Sequence, residues 1–278
     1  MPPDNDPYTI DEKTVERLLR ATGEIDVIGQ HVGRIRGARS GSSGSLSEAD
    51  NQLPHSGYIR GQATIAVSVA YDHLRAWSLI IEGGTLPNYA PMTLVRTALE
   101  TSALCRWLVD PTLSSMERVA RGVSAQLEDH DQRRKFETAI GAGEPPEDGA
   151  ARGGGQRLRE LMRLRDAEGI PPLMFPGPTA IVGMYPPNPK SEGTWPYRLA
   201  SAFSHGKMWS LVGMNLGSVR AARESGQSIP LTSDQGILAS MTELAVAAAV
   251  LAVQDIEGYL GIGGPGPEAE VPGSHPAG

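Results

Sequence analysis

Ala63-Thr-Ile-Ala-Val-Ser-Val-Ala-Tyr-Asp-His-Leu-Arg-Ala-Trp-Ser-Leu-Ile-Ile-Glu82 decides the fold class. Its apolar residues recur at intervals of three and four. Ile65, Val69, Ala76 and Leu79 form one row, and Ala63, Ala66, Ala70, Leu74, Trp77 and Ile81 widen it. That is the period of an amphipathic helix, and the alanines in it let a neighbouring helix come close. The pattern opens near Ser56 and stops at Gly83-Gly84, where glycine favours a helix end over its continuation.

The same period recurs on both sides. A first helix is predicted over Asp11 to Ile35, with Thr9 as cap and Glu12 completing a capping box, on a thin stripe of Val15, Leu18, Leu19, Ile25, Ile28 and Val32. A third follows Asn88, with Pro91 in its first turn, and ends at Asp110-Pro111. A fourth runs from Thr112 or Ser114 to about Ile140, and a short basic one covers 157–168. A sixth starts at Thr194 and reaches about Arg223, and a seventh runs from Thr232 or Ser233 to Leu260. Between them, the Gly/Ser/Asp-rich stretch 40–55 and the Gly/Pro/Glu-rich stretch 141–156 read as flexible loops. The proline-rich but apolar stretch 170–193 reads as partly ordered against the body. No run alternates as a strand does. The expectation is an all-α, up-and-down helical bundle of about six or seven helices with flexible Gly/Pro-rich insertions. One domain would span 1–262, with its core in the helices of 56–110 and 194–260 and a disordered tail over 263–278.

Composition narrows the function classes. The chain has 278 residues, 40% of them hydrophobic, and a formal charge of −7, which argues against broad binding to duplex DNA. Cys105 is the only cysteine, so neither an internal disulfide nor a cysteine zinc site is open to it. It falls on an apolar row and reads as core packing. Ile237 to Val253 is the longest apolar stretch, but its length, Glu243 and many alanines suit a buried helix better than a membrane span. With no basic start and no apolar leader in the first residues, the chain reads as cytoplasmic. A phosphate-binding Gly-x4-Gly-Lys loop, a Gly-x-Ser-x-Gly elbow and His-Glu-x-x-His are all missing. Nor is there a Glu-x-x-His for a carboxylate-bridged metal bundle, so no metal or cofactor is expected.

Chemistry should lie where helices carry polar groups among apolar ones. Arg198 and His205 are seven residues apart, nearly two helical turns, so on a continuous helix they share a face with Ser201. A guanidinium and an imidazole on one face can hold a phosphate and move a proton beside it. Asp72 stands in the row of Ile65 and Val69. It could pair with Arg198, or hold the ring of His205 or His73. Arg96 and Glu100, four apart on the third helix, can pair with each other.

Two segments carry a family resemblance: Leu94-Val-Arg-Thr-Ala-Leu-Glu100 and Tyr197-Arg-Leu-Ala-Ser-Ala-Phe-Ser-His205. The second contains Arg-x6-His on a late helix of an all-α chain. It resembles the HEPN superfamily (higher eukaryotes and prokaryotes nucleotide-binding), whose motif is Arg-x4–6-His. Together the segments resemble a bacterial family of unknown function with an Arg-x3-Glu helix followed by a Tyr/Ser/His helix. The resemblance covers about 56–110 and 194–260. It implies a metal-independent RNase, or an RNA- or nucleotide-binding protein, of a stress or phage-defence system, with its site at a homodimer interface. In that reading Arg198 holds the phosphate and His205 is the general acid or base. Ser201, Asp72, Arg96 and Glu100 support them. Leu199 departs from the pattern, since active members commonly carry a polar residue after the arginine. The alternative is a non-catalytic helical scaffold that binds a partner.

Overall fold

The computed structural model describes residues 12–84, 87, 89–142, 153–188, 194–207, 209–210 and 235–262. These residues are all-α, with no strand among them. In chain order the helices are α1 (Glu12–Gly37), α2 (Leu46–Asp50), α3 (Gly57–Glu82), α4 (Ala90–Leu108), α5 (Ser115–Ala139), α6 (Gly154–Ala167), α7 (Pro178–Met184), α8 (Trp195–Ser204) and α9 (Gln235–Leu260). The expected caps Thr9 and Asn88, the start of the last helix at 232–233, residues 143–152 and the tail 263–278 lie outside the described residues.

α4 lies at the centre, packed on α3 and α9, with α8 and α7 on its outer side. α1 closes the bundle against α9 and α3, and α6 lies on α5. This corrects the expectation that the core lies in 56–110 and 194–260. Leu18, Ile25, Ile28, Val32 and Ile35 of α1 are as buried as any residue of the chain. Its stripe looked thin because Val15 and Leu19 turn outward, while Ala21 continues the buried row.

The reading of α3 is corrected too. Ile65 and Leu79, placed in the leading row, are 64% and 54% exposed, whereas Ile59, Ala63, Ala66, Ala70, Leu74 and Trp77 are buried. A helix apolar on most of its circumference does not declare which side meets the bundle. Small residues won here because they allow α4 to approach. Trp77, wholly buried, donates its indole N–H to Thr242 Oγ1 at 2.9 Å, tying α3 to α9. α9 has the length and composition to cross a membrane, yet 56% of its most apolar window is buried against other helices.

The stretch 40–55, expected to be a flexible loop, is bound to the bundle at both ends. Ser42 donates its backbone N–H to Leu260 O at 2.8 Å and its hydroxyl to Gly261 O at 2.8 Å, capping the end of α9. Ser45 caps α2, accepting from Glu48 N at 3.1 Å. α2 delivers Asp50, 0% exposed, to Arg118 of α5, 2% exposed. The carboxylate accepts two bonds from the guanidinium, from Nε at 2.8 Å and Nη2 at 2.7 Å. Arg118 Nη1 donates to Leu113 O at 2.5 Å. Tyr259 lies against the same pair, and burial together with the Asp50 charge pushes its phenol pKa up. Gly, Ser and Asp resemble a mobile linker by composition, and nothing local reveals that one Asp has a buried partner 68 residues away.

The apolar stretch after α6 is ordered against α4, as its composition suggested. Phe175 meets Trp107 edge-on at 5.6 Å. Tyr185 donates to Asp110 and accepts from Arg121 Nη1 at 2.8 Å. Burial pushes the Asp110 carboxyl up, but the donors Tyr185 and Thr112, with the Arg121 charge, outweigh it and hold the pKa below the usual range.

Two outcomes follow from these contacts. Arg118→Ala strands a buried carboxylate and should lower unfolding stability by about 3–5 kcal/mol, read from denaturant midpoints. The pair Asp50→Leu with Arg118→Met should cost clearly less. A depressed carboxyl stabilises the fold above its unfolded pKa and loses that contribution as pH falls through the folded one. The gap in melting temperature between the native chain and Tyr185→Phe should therefore be widest near neutral pH and narrow on acidification. A gap independent of pH would exclude Asp110 as its source.

Candidate functional site

α8 carries the expected pair and is only 10 residues long. It opens after Thr194 with Pro196 in the first turn, where a missing N–H costs nothing. It closes at Ser204-His205-Gly206-Lys207. Gly206 takes a left-handed φ of 60°, its N–H donates to Phe203 O at 3.0 Å, and Lys207 N donates to Ala202 O at 2.9 Å. This pair of backward bonds is a Schellman stop, a geometry that glycine adopts without steric cost. The expected helix to Arg223 is thus interrupted at 204, and residues 211–223 lie outside the described residues. His205 is the C-cap rather than a residue within the helix.

The polar groups that α4 and α8 share form a seam. Tyr197 is buried, and its hydroxyl sits between the two α4 residues of the Arg-x3-Glu motif. It donates to Glu100 Oε2 at 3.1 Å and accepts from Arg96 Nη2 at 3.3 Å. Arg96 and Glu100 stand 3.6 Å apart, and the guanidinium lies 5.5 Å from the centre of the Tyr197 ring. Further along, Thr93 Oγ1 donates to Ser204 Oγ at 3.2 Å, and Tyr89 stacks on Phe203. Ser201 is half-buried on α8, one turn from Tyr197. The local pairing of Arg96 with Glu100 is therefore as the spacing suggested, with Tyr197 as a third member that the spacing did not name.

Arg198 and His205 are both exposed. Neither makes a side-chain hydrogen bond or ion pair among the described residues. Asp72 is exposed on the outward row of α3 and holds none of the three expected partners. His73 Nδ1 is instead 2.9 Å from Val69 O, one turn back on its own helix. The proposed support by Asp72 is corrected for the same reason as Ile65: its row faces solvent. An apolar groove of about 860 Å³ runs beside α8 over the outer side of α9. Pro187, Trp195, Leu244, Ala247, Val250 and Leu251 are among its walls.

Sequence reasoning passed over several polar residues. His31 Nδ1 lies 2.9 Å from both oxygens of the buried Glu257, and Arg34 Nη2 donates to the same carboxylate at 3.2 Å. Arg106 Nε donates to Asp255 Oδ2 at 2.8 Å, and Arg17 Nη2 reaches Glu243 at 2.6 Å. Only the recurrence of carboxylates along the otherwise apolar α9 hinted at them. Tyr197→Phe keeps the ring over Arg96 and removes the hydroxyl. It should cost about 1 kcal/mol of stability, while Tyr197→Ala, which also opens a cavity, should cost about 3–5 kcal/mol. Equal losses on thermal unfolding would show that the ring contributes nothing.

No family model, no curated protein and no solved structure matches the chain, so what it does has to be read from its own geometry.

Proposed function

We propose that the chain is a non-catalytic helical scaffold that binds a partner. The observation that carries this reading is the fate of Arg198 and His205. A general acid or base needs its imidazole positioned by another group and its substrate partly withdrawn from water. Here both side chains stand in solvent, and neither lines the apolar groove beside α8. His205 also sits at a helix C-terminus, where the backbone dipole disfavours a phosphate. The polar groups that α4 and α8 bring together are bonded to one another in the half-buried Arg96–Tyr197–Glu100 cluster, although Arg96 Nε has no partner among the described residues. Bonds from one helix to the other set how the two meet, which is a structural task. Leu199, beside Arg198, supports the same reading.

One observation favours a second reading. Arg198 on the ten-residue α8 and His205 at its C-cap have no side-chain partner among the described residues, which leaves both available to another molecule. A HEPN-like, metal-independent RNase or nucleotide-binding protein of a stress or defence system would complete its site where two copies meet. The 2′-hydroxyl of the RNA would attack the adjacent phosphorus and close a 2′,3′-cyclic phosphate as the P–O5′ bond breaks; His205 would take the 2′ proton, the departing 5′-oxygen would take one from water, and Arg198 would bind the phosphate oxygens.

Labelled single-stranded RNA incubated with the purified chain and a chelator separates the two. The scaffold reading expects no cleavage above background, and the same background from His205→Ala and Arg198→Ala. Cleavage by the native chain that His205→Ala abolishes, at an unchanged melting temperature, would overturn the scaffold reading and establish the second.

A further inference from the structure

His31 of α1 meets a buried carboxylate of α9. The two helices pack on each other, with Arg17 on Glu243 toward one end and His31 on Glu257 toward the other, so their register is held at two points. Ile28, Val32 and Ile35, buried on either side of His31 in the chain, fix the stretch of α1 that carries the ring. The Glu257 side chain is 7% exposed, whereas the imidazole it meets is 30% exposed. The ring therefore has one edge in the protein and one in solvent.

Nδ1 is the inner nitrogen, 2.9 Å from both oxygens of the carboxylate. Two anionic oxygens call for a proton on Nδ1. The Arg34 Nη2 that passes 2.7 Å from Nδ1 donates to Glu257 Oε1 at 3.2 Å. The bond made by one ring nitrogen sets the tautomer, so the lone pair of the neutral ring is on Nε2. Nε2 has no partner among the described residues, and it is open to water, unlike the ring nitrogens sealed inside at His55 and His130. Gly33, two residues on, and Gly258, next to Glu257, each face open space where a Cβ would stand. Neither adds a side chain over the ring.

An imidazole oriented in this way can act as a general base or as a nucleophile. A general base for a small substrate needs a cleft that withdraws the substrate from water. His31 lines neither the groove beside α8 nor the cavities of about 360 and 390 Å³ that border α5. A nucleophile that receives a group from another molecule needs only access. We infer that His31 is a phosphoryl-acceptor site, taking a phosphoryl group on Nε2 from a donor of the phosphoramidate class. The Nε2 lone pair forms the new N–P bond as the donor's P–N bond breaks, and the donor nitrogen, already protonated, leaves as the neutral amine with the bonding pair. Nε2 has no proton to lose. The ring, now bearing Nδ1–H and Nε2–P, carries a positive charge that the Glu257 carboxylate balances in place. Arg34, one turn along α1 and 53% exposed, stays on that carboxylate through Nη2 and offers its remaining N–H groups to the phosphoryl oxygens. The inference rests on neither functional reading above, since neither Arg198 nor His205 takes part in it.

The chain carries its own comparisons. His73 Nδ1 donates to Val69 O, which fixes the same tautomer, but a carbonyl does not balance the charge of a phosphorylated ring. His205 is exposed with nothing to orient it. The test is incubation of the full chain with potassium phosphoramidate, with sites and rates read by peptide mass spectrometry and the ring nitrogen by phosphorus NMR. His31 should be labelled about tenfold faster than His73 and His205, with the phosphorus on Nε2. His31→Gln should remove the fast phase and leave the slow ones. Glu257→Gln should slow labelling of His31 by about tenfold. Arg34→Ala changes only an exposed side chain and should shorten the lifetime of phosphorylated His31, which covers the case in which Glu257→Gln fails to fold. The inference is overturned if His31 is labelled no faster than His73 and His205, or on Nδ1. It is equally overturned if folded Glu257→Gln is labelled as fast as the native chain, or if Arg34→Ala leaves the lifetime unchanged.

Discussion

A carboxylate and a guanidinium taken out of water together hold the rest of the molecule in place. Asp50 comes from a five-residue helix that has almost no apolar surface of its own, and Arg118 from the buried half of α5. Each would be prohibitive to bury alone. Together, with Leu113 O accepting a further hydrogen bond from the guanidinium, they draw the 40–55 segment down across the end of the bundle. That segment then supplies Ser42 to the last carbonyls of α9. The chain between α1 and α3 thus joins α5 and α9, which are far apart in sequence.

The same device recurs between other helices. Arg17 with Glu243 and His31 with Glu257 join α1 to α9, Trp77 with Thr242 joins α3 to α9, and Arg106 with Asp255 joins α4 to α9. The surfaces they bridge are rich in alanine. An alanine face packs closely but is smooth, and two such faces lose little by sliding a turn past each other. A polar group that finds its partner in only one register removes that freedom, because every other register leaves it unsatisfied. The Arg96–Tyr197–Glu100 cluster does the same for α4 and α8.

How much of the site was legible follows from which signals are local. The pairing of Arg96 with Glu100 could be read from their spacing of four, since the helix itself brings them together. Tyr197 could not, because it approaches from a helix about a hundred residues away. The seven-residue spacing of Arg198 and His205 is a valid helical signal only where the helix continues. Gly206 ended it, and that signal was present in the sequence. A glycine directly after the imidazole is the residue type that closes a helix in the left-handed conformation. Asp72 failed for a different reason. Both sides of α3 are apolar enough to be buried, and the choice between them depended on how closely α4 could approach.

Periodicity, caps and glycines are properties of a few consecutive residues, and they sufficed for the all-α class, for the extent of α3 and α5, for the end of α9 at Leu260, and for the burial of Cys105. What only the tertiary structure decided is every relation between separated segments. It placed α1 in the core, pinned 40–55 to the bundle, turned one side of α3 inward, and brought His31 of α1 onto the buried Glu257 of α9. Those relations depend on which surfaces fit and which charges find partners once the helices are assembled, and no spacing along a single helix records that.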